Sequence, residues 1–452
     1  MEVPRRSPPL STLRIRDATV LTMDDDRTVV TGDVWIADGV ITRVGPTPPG
    51  TPAADREIAA HGTYLLPGFI QTHVHLCQTL FRGLADDLPL LEWLKQRVWP
   101  LEAAHTPATL AASARLAVHE LLRTGTTTVL TMETVHDTDA VLEAIAPTGI
   151  RATVGKCLMD DGGDAPARLH ETWRAGLDAS VDLHRRWHGQ AGGRIRIALA
   201  PRFAVSCSRT LLEAVAAESA ASGILVHTHA SENRDEVAYV REKTGLNNMA
   251  YLADVGLASP RLCAAHCVWV DDAEQAVMAE RGVQVLHCPG SNLKLGSGVA
   301  PIVAMRAQGI GISLGADGAA CNNRLDMFDE MRLAATLQAE RHGPGSLTAR
   351  DVLLMATRGG AQALGLDADI GSIEPGKRAD LILVDADAPH LAPGTDPWST
   401  LVYAARGTDV VMTMVDGRIL VEDGVPVGLD GGAVLAEARA AARTLMSRAG
   451  LL

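Results

Sequence analysis

Nowhere in the 452 residues is there an apolar run of about 18, the length a membrane-spanning helix needs. The opening Met1-Glu2-Val3-Pro4-Arg5-Arg6 leads into no apolar signal-peptide core. Arg5-Arg6 allows a twin-arginine signal, but Thr12 to Val20 already reads as a folded strand. No CxxC pair occurs among the seven cysteines (Cys77, Cys157, Cys207, Cys263, Cys267, Cys288, Cys321). Most of them sit in apolar strand-like runs, where cysteine behaves as a small hydrophobe, and a reducing cytoplasm is the expected location. Positive charge is short as well: 41 Lys+Arg against 54 Asp+Glu leave a net charge of -13. Such a surface repels phosphate backbones and anionic lipid, so neither nucleic acid nor a membrane is an expected partner. Internal repeats and low-complexity tracts are also missing.

What is present is enough apolar content, 47% of residues, for one large barrel and a smaller domain. Residues 13–45 alternate in short strand-like pieces, with Asp38-Gly39 between apolar runs as a hairpin signal. The same texture returns at Asp380–Val384 and Val410–Val421, with Asp416-Gly417 as a second turn. Two β-rich chain ends most simply form one domain, a small β-sandwich from residues 1–66 and 369–452, the latter including a C-terminal tail. The middle, 67–368, alternates strands at 66–75, 126–132, 151–158, 195–201, 224–229, 262–267, 283–288 and 310–316 with helices such as Leu110–Leu122, Thr210–Ala221 and Asp235–Leu252. Eight strands alternating with helices predict an α/β fold of the (β/α)8 barrel type, with its chemistry at the C-terminal strand ends. Pro/Gly-rich stretches at 45–53 and 386–396 are connections.

The barrel is organised around Leu65-Leu66-Pro67-Gly68-Phe69-Ile70-Gln71-Thr72-His73-Val74-His75. Strand alternation puts His73 and His75 on one face, within reach of one ion. Further apolar strands end in His229, His266 and Asp317. Neutral imidazoles of His73, His75 and His229 with the Asp317 carboxylate would suit one Zn2+ or Fe2+ and leave room for water. Such an ion lowers the pKa of a water it holds to about 7. Hydrogen-bonded strand-end residues would be the plain alternative for any one of them, but four stand at matching positions. Expelling an amine from an aromatic ring needs two more roles: a ring nitrogen must be protonated, and the water's proton must reach the leaving group. Glu232, three residues past His229, is the expected general acid; Asp317 can accept the water's proton; His266 can hold the attacking water. His227 shares His229's face and is expected to support the ligands rather than act in catalysis.

These stretches resemble the amidohydrolase superfamily, in its cytosine/adenosine/guanine deaminase and s-triazine hydrolase branch. The resemblance rests on Pro67–His75, His227-Thr228-His229-Ala230-Ser231-Glu232, Ala265-His266-Cys267, His287-Cys288-Pro289-Gly290-Ser291-Asn292-Leu293-Lys294-Leu295, Gly315–Asn323 and Gly371–Asp380. It implies a single metal on His73, His75, His229 and Asp317, with Glu232 and His266 catalytic, and a homo-oligomer by analogy. Binuclear barrel hydrolases bridge two metals with a lysine or glutamate from a middle strand, and Ile195–Pro201 offers neither. Lys156, at the end of the third strand, is left open between substrate contact, structural charge and a second-metal ligand.

The substrate is expected to be a small purine or related heterocycle. Pro100-Leu101-Glu102, Thr79–Gly83 and Asp326–Arg332 resemble the methylthioadenosine/S-adenosylhomocysteine and 5'-deoxyadenosine deaminases, where a carboxylate such as Glu102 takes the ribose hydroxyls. Gln78 and Arg202 depart from that pattern and resemble the base-reading pair of guanine deaminases. The expectation is therefore deamination of adenosine or a 5'-modified adenosine such as 5'-deoxyadenosine. A guanine-like oxo-purine deaminase or an s-triazine amino/chlorohydrolase stands second. A barrel kept as a non-catalytic binding subunit would not need all four ligands and both proton-transfer groups.

Overall fold

Gly68 is where the chain changes sheets. The computed structural model describes residues 12–451 and breaks the expected strand 66–75 in two at this glycine. Thr63–Pro67 pairs antiparallel with Leu381–Asp385, whereas Phe69–His75 pairs parallel with Thr126–Met132. The Gly68 N–H donates to the Asp380 carbonyl at 2.9 Å, and a Cβ there would fall 2.1 Å from Thr127 Cγ2. A side chain would block the crossing. The Arg5-Arg6 pair lies outside the described residues.

The first sheet takes Thr12–Leu21, Val29–Ala37, Val40–Gly45, Arg56–Ala59 and Thr63–Pro67 from one chain end. From the other it takes Leu381–Asp385, Val410–Val415, Arg418–Glu422 and Val425–Pro426. Both Asp-Gly pairs turn two-residue hairpins, with φ 50° and 78° at Asp38-Gly39 and 49° and 71° at Asp416-Gly417. Positive φ at both central residues matches the right-handed twist of the flanking strands.

The second sheet is the (β/α)8 barrel. Its strands are Phe69–His75, Thr126–Met132, Arg151–Leu158, Ile195–Pro201, Val226–Ala230, Leu262–His266, Gln284–His287 and Gly311–Leu314, paired parallel in sequence order. Past Leu314 the chain continues to a two-residue strand, Asp317–Gly318, that pairs with Val74 and His75 and brings the eighth strand onto the first. Thr72 Oγ1 spans the same seam, 2.8 Å from Ser313 Oγ and donating to the Leu314 carbonyl at 3.0 Å. The helix expected over 235–252 is two, Arg234–Thr244 and Asn248–Asp254. Gly245, at φ +77°, caps the first of them, a left-handed stop that an apolar periodicity does not reveal. Arg151 ties the third barrel strand to the first sheet through Asp380 (2.9 Å) and Asp416 (2.8 Å). Among the described residues no helix is long and apolar enough to cross a membrane.

Candidate metal centre

Four buried side chains and the half-buried His229 meet at the C-terminal mouth of the barrel: His73 and His75 from the first strand, His229 from the fifth, His266 from the sixth and Asp317 from the tail of the eighth. Asp317 Oδ1 lies 3.3 Å from His73 Nε2 and 3.2 Å from His75 Nε2. His229 Nε2 is 3.3 Å from His75 Nε2. Donors at about 2.0–2.2 Å around a tetrahedral ion stand about 3.3–3.6 Å from one another, so these spacings fit one ion. His266 Nε2 sits 3.8 Å from Asp317 Oδ2 and 3.6 Å from Glu232 Oε2. The donor atoms of His73, His75 and His229, and those of His73, His266 and Asp317, lie within 4.8 Å of one another.

The rings are held from behind. His75 Nδ1–H donates to the Met132 carbonyl at 2.8 Å and His229 Nδ1–H to the Arg202 carbonyl at 2.6 Å. A carbonyl only accepts, so in its neutral form each ring turns a bare Nε2 toward the centre. His266 Nδ1 meets Asn292 Oδ1 at 2.9 Å, and His73 Nδ1 meets His227 Nε2 at 2.6 Å. Nε2 of His73 and of His266 are buried without a hydrogen-bond partner among the described residues. Buried polar atoms are rarely left so, and an ion would satisfy them. The donor set fits. His266 (φ 73°) and Asp317 (φ 64°) both lie in the left-handed region, strain of the kind that collects at functional sites and here turns both side chains inward at strand ends.

Electrostatics agree with the geometry. Burial pushes His73 down to about 4 and holds His229 well below its ordinary value, so both rings are neutral at neutral pH. Burial would raise the Asp317 carboxyl, but the His73 and His75 imidazoles hold it well below the usual range. Glu232 is the opposite case: burial pushes it up to about 7, opposed by His266 and reinforced by Asp317. Ser297 Oγ donates to its Oε1 at 3.3 Å, leaving Oε2 toward the centre.

Beside the centre lies a pocket whose wall includes Gln78, Trp93, Leu94, Arg202, Phe203 and Glu232. The expected substrate residues divide here. Gln78 and Arg202 line the pocket, but Glu102 lies buried behind them. Its Oε2 accepts from Arg202 Nη1 at 2.6 Å, and its Oε1 from Arg202 Nη2 at 3.2 Å and from Gln78 Nε2 at 2.9 Å. Lys156 is accounted for by a part-buried ion pair with Glu171 and a 3.3 Å bond to the Cys157 carbonyl. Sequence reasoning gave no role to Asn292 and Ser297, although Asn292 sits in a motif it quoted. The apolar run around Trp93 and Leu94 reads as plain core and carries no signal of a pocket wall.

The sequence profile of the amidohydrolase family matches residues 64–420, and the chain belongs to that family. It is 41% identical over 440 residues to the 5-methylthioadenosine/S-adenosylhomocysteine deaminase of Symbiobacterium thermophilum, covering 96% of this chain and 99% of that one. It is 42% identical over 416 residues to the 5'-deoxyadenosine deaminase of Methanothermobacter thermautotrophicus, covering 92% and 95%. The crystal structure of an adenosine deaminase from Xanthomonas campestris with bound zinc superposes with a TM-score of 0.91 at 34% identity, covering 97% of this chain and all (100%) of that one. Donor set and relatives together support a divalent metal at the barrel mouth.

Proposed function

We propose that this amidohydrolase hydrolyses the amino group from the ring of a purine nucleoside, adenosine or a 5'-modified adenosine such as 5'-deoxyadenosine, and releases ammonia. The observation that carries the reading is the convergence of His73, His75, His229 and Asp317 on one centre with Glu232 at the adjoining pocket wall. Relatives at about 40% identity over nearly the whole chain, named for that chemistry, support it. Those four side chains would hold the ion. Three imidazoles and a carboxylate suit Zn2+ ahead of Fe2+, and the ion supplies Lewis-acid activation of a water.

The chain's own groups supply the rest. Glu232, protonated up to about 7, gives its proton from Oε2 to the ring nitrogen beside the carbon under attack. Asp317 takes a proton from the attacking water and passes it to the departing amine. His266, held by Asn292 at 2.9 Å, orients that water through Nε2. A C–O bond forms and the exocyclic C–N bond breaks; as the carbonyl forms, the remaining hydroxyl proton returns to Glu232, so that in balance one water proton each ends on ring nitrogen and ammonia.

The contacts of Glu102 favour a second reading, an oxo-purine base of the guanine type. Both Glu102 oxygens are engaged by Arg202 and Gln78 rather than offered to a diol. Gln78 Oε1, buried and without a partner among the described residues, is an acceptor, and Arg202 is a donor. Together they complement an amide-like edge. An ammonia-release screen of adenosine, 5'-deoxyadenosine, methylthioadenosine, guanosine, guanine, 8-oxoguanine and melamine with zinc-loaded protein separates the two. The nucleoside reading expects the highest kcat/KM on the adenine nucleosides. Turnover of guanine or 8-oxoguanine alone would replace it with the second.

A further inference from the structure

His73 is held differently from the other imidazoles of the centre. His75, His229 and His266 each direct Nδ1 at an oxygen, from Met132, Arg202 and Asn292. His73 directs Nδ1 at another ring nitrogen, His227 Nε2, 2.6 Å away, with the two rings edge-on at 85°. An oxygen of that kind accepts and so dictates the tautomer; a ring nitrogen can accept or donate. The contact is therefore compatible with two proton arrangements. In one, His227 Nε2–H donates to His73 Nδ1, and the His73 proton sits on Nε2, facing Asp317 Oδ1 at 3.3 Å. In the other, His73 Nδ1–H donates to His227 Nε2, leaving His73 Nε2 bare. Only the second is compatible with an ion on His73 Nε2.

That second arrangement puts the His227 proton on Nδ1, which is buried and has no partner among the described residues. An unpaired buried N–H is unfavourable. A ring that merely filled space would leave His73 Nδ1 unpaired as well. We propose that His227 is a positioning residue for His73: with a divalent ion on His73 Nε2, the His227 Nε2 accepts the His73 Nδ1–H and aims the ring at that ion. Its place on the fifth strand, two residues before His229, couples two ligands through one short β-segment. The proposal rests on the reading of His73 as a ligand.

Two measurements test it. In protein labelled with 15N at histidine, the zinc-loaded form should show His227 protonated at Nδ1 with an unprotonated Nε2, and the metal-free form the reverse. A loaded form with the proton on His227 Nε2 overturns the proposal. In chelator competition, His227→Phe should weaken zinc binding by about 10–100-fold. His227→Gln, whose Oε1 can accept from His73, should recover most of that loss. Two variants that bind zinc as the wild type does overturn the proposal; should the Phe variant not fold, the Gln variant and the labelled wild type still decide. A wild type that binds no zinc is a different outcome, and it removes the metal reading itself.

Discussion

Asp317 serves several contacts at once. Its Oδ1 accepts from the Gly318 N–H at 2.7 Å and faces two imidazoles, while Oδ2 faces His266. Asp317→Asn should lower kcat by at least about 100-fold and release the metal, with an unchanged circular dichroism spectrum; wild-type-like rates would contradict its role. Glu232→Gln should lower kcat comparably but keep a full metal content, because Glu232 is not among the clustered donors. Metal analysis of the two variants side by side separates ligand from acid. The five candidate residues of the centre were legible because strand ends repeat a pattern, an apolar run and then a polar side chain facing the barrel mouth, and Glu232 from its place three residues past His229. The partnership of Glu102 with Arg202 was not, since nothing in a spacing of 100 residues announces a bidentate contact. A carboxylate read as a free acceptor is in fact committed to a buried guanidinium.

Gly315 decides how the eighth strand meets the first. A Cβ there would stand 2.6 Å from the His73 carbonyl oxygen and 2.7 Å from its nitrogen, backbone atoms that cannot swing away. Gly315→Ala should destabilise the fold by about 1–3 kcal/mol and move Asp317 off the imidazoles. The check is a lowered Tm together with lowered zinc affinity; a variant that keeps both would contradict the closure described above. Glu330, on the helix Met327–His342, accepts from the Gly290 N–H (3.0 Å) and the Asn322 amide (2.7 Å) and so pins the first turn of the helix Pro289–Lys294 to the loop at Asn322. Burial pushes its carboxyl from 4.5 up to about 7, against those two donors. The fold therefore binds more protons than the unfolded chain between these values, and this group's stabilisation, full below 4.5, is lost as pH rises through about 7. Relative to Glu330→Gln, the wild type should lose about 3 kcal/mol over that range, read as a shrinking Tm gap between pH 5 and 8. A constant gap would contradict it. Several element edges followed directly from apolar runs, as at Thr126–Met132, Arg151–Leu158 and Ile195–Pro201. The breaks at Gly68 and Gly245 did not, because a single glycine's sheet change or left-handed stop leaves hydrophobic periodicity almost untouched.

Across the molecule, strands from both chain ends share one sheet, and that sheet is bolted to the foot of the barrel. Buried Arg151 meets Asp380 and Asp416, and Asp380 also accepts from the Asp416 N–H at 2.8 Å. Asp380→Ala takes the two-pronged partner from a buried guanidinium and leaves it Asp416 alone; it should cost up to about 3 kcal/mol, lowering Tm while zinc content and KM stay near wild type. Loss of zinc in that variant would mean the foot of the barrel shapes the mouth. The overall architecture was readable because two β-textured ends flanked a strand–helix alternation. The substrate is the least readable feature, because base and ribose recognition turn on side-chain pairings across the barrel rather than on any local pattern.

The central claim is one ion, held by His73, His75, His229 and Asp317, working in hydrolytic deamination. Adding Zn2+ stepwise to chelator-treated protein, while following ammonia release from 5'-deoxyadenosine, tests it most directly. Activity should rise linearly and break at one equivalent per chain. A break at two equivalents, or ammonia release indifferent to added zinc, would contradict the account.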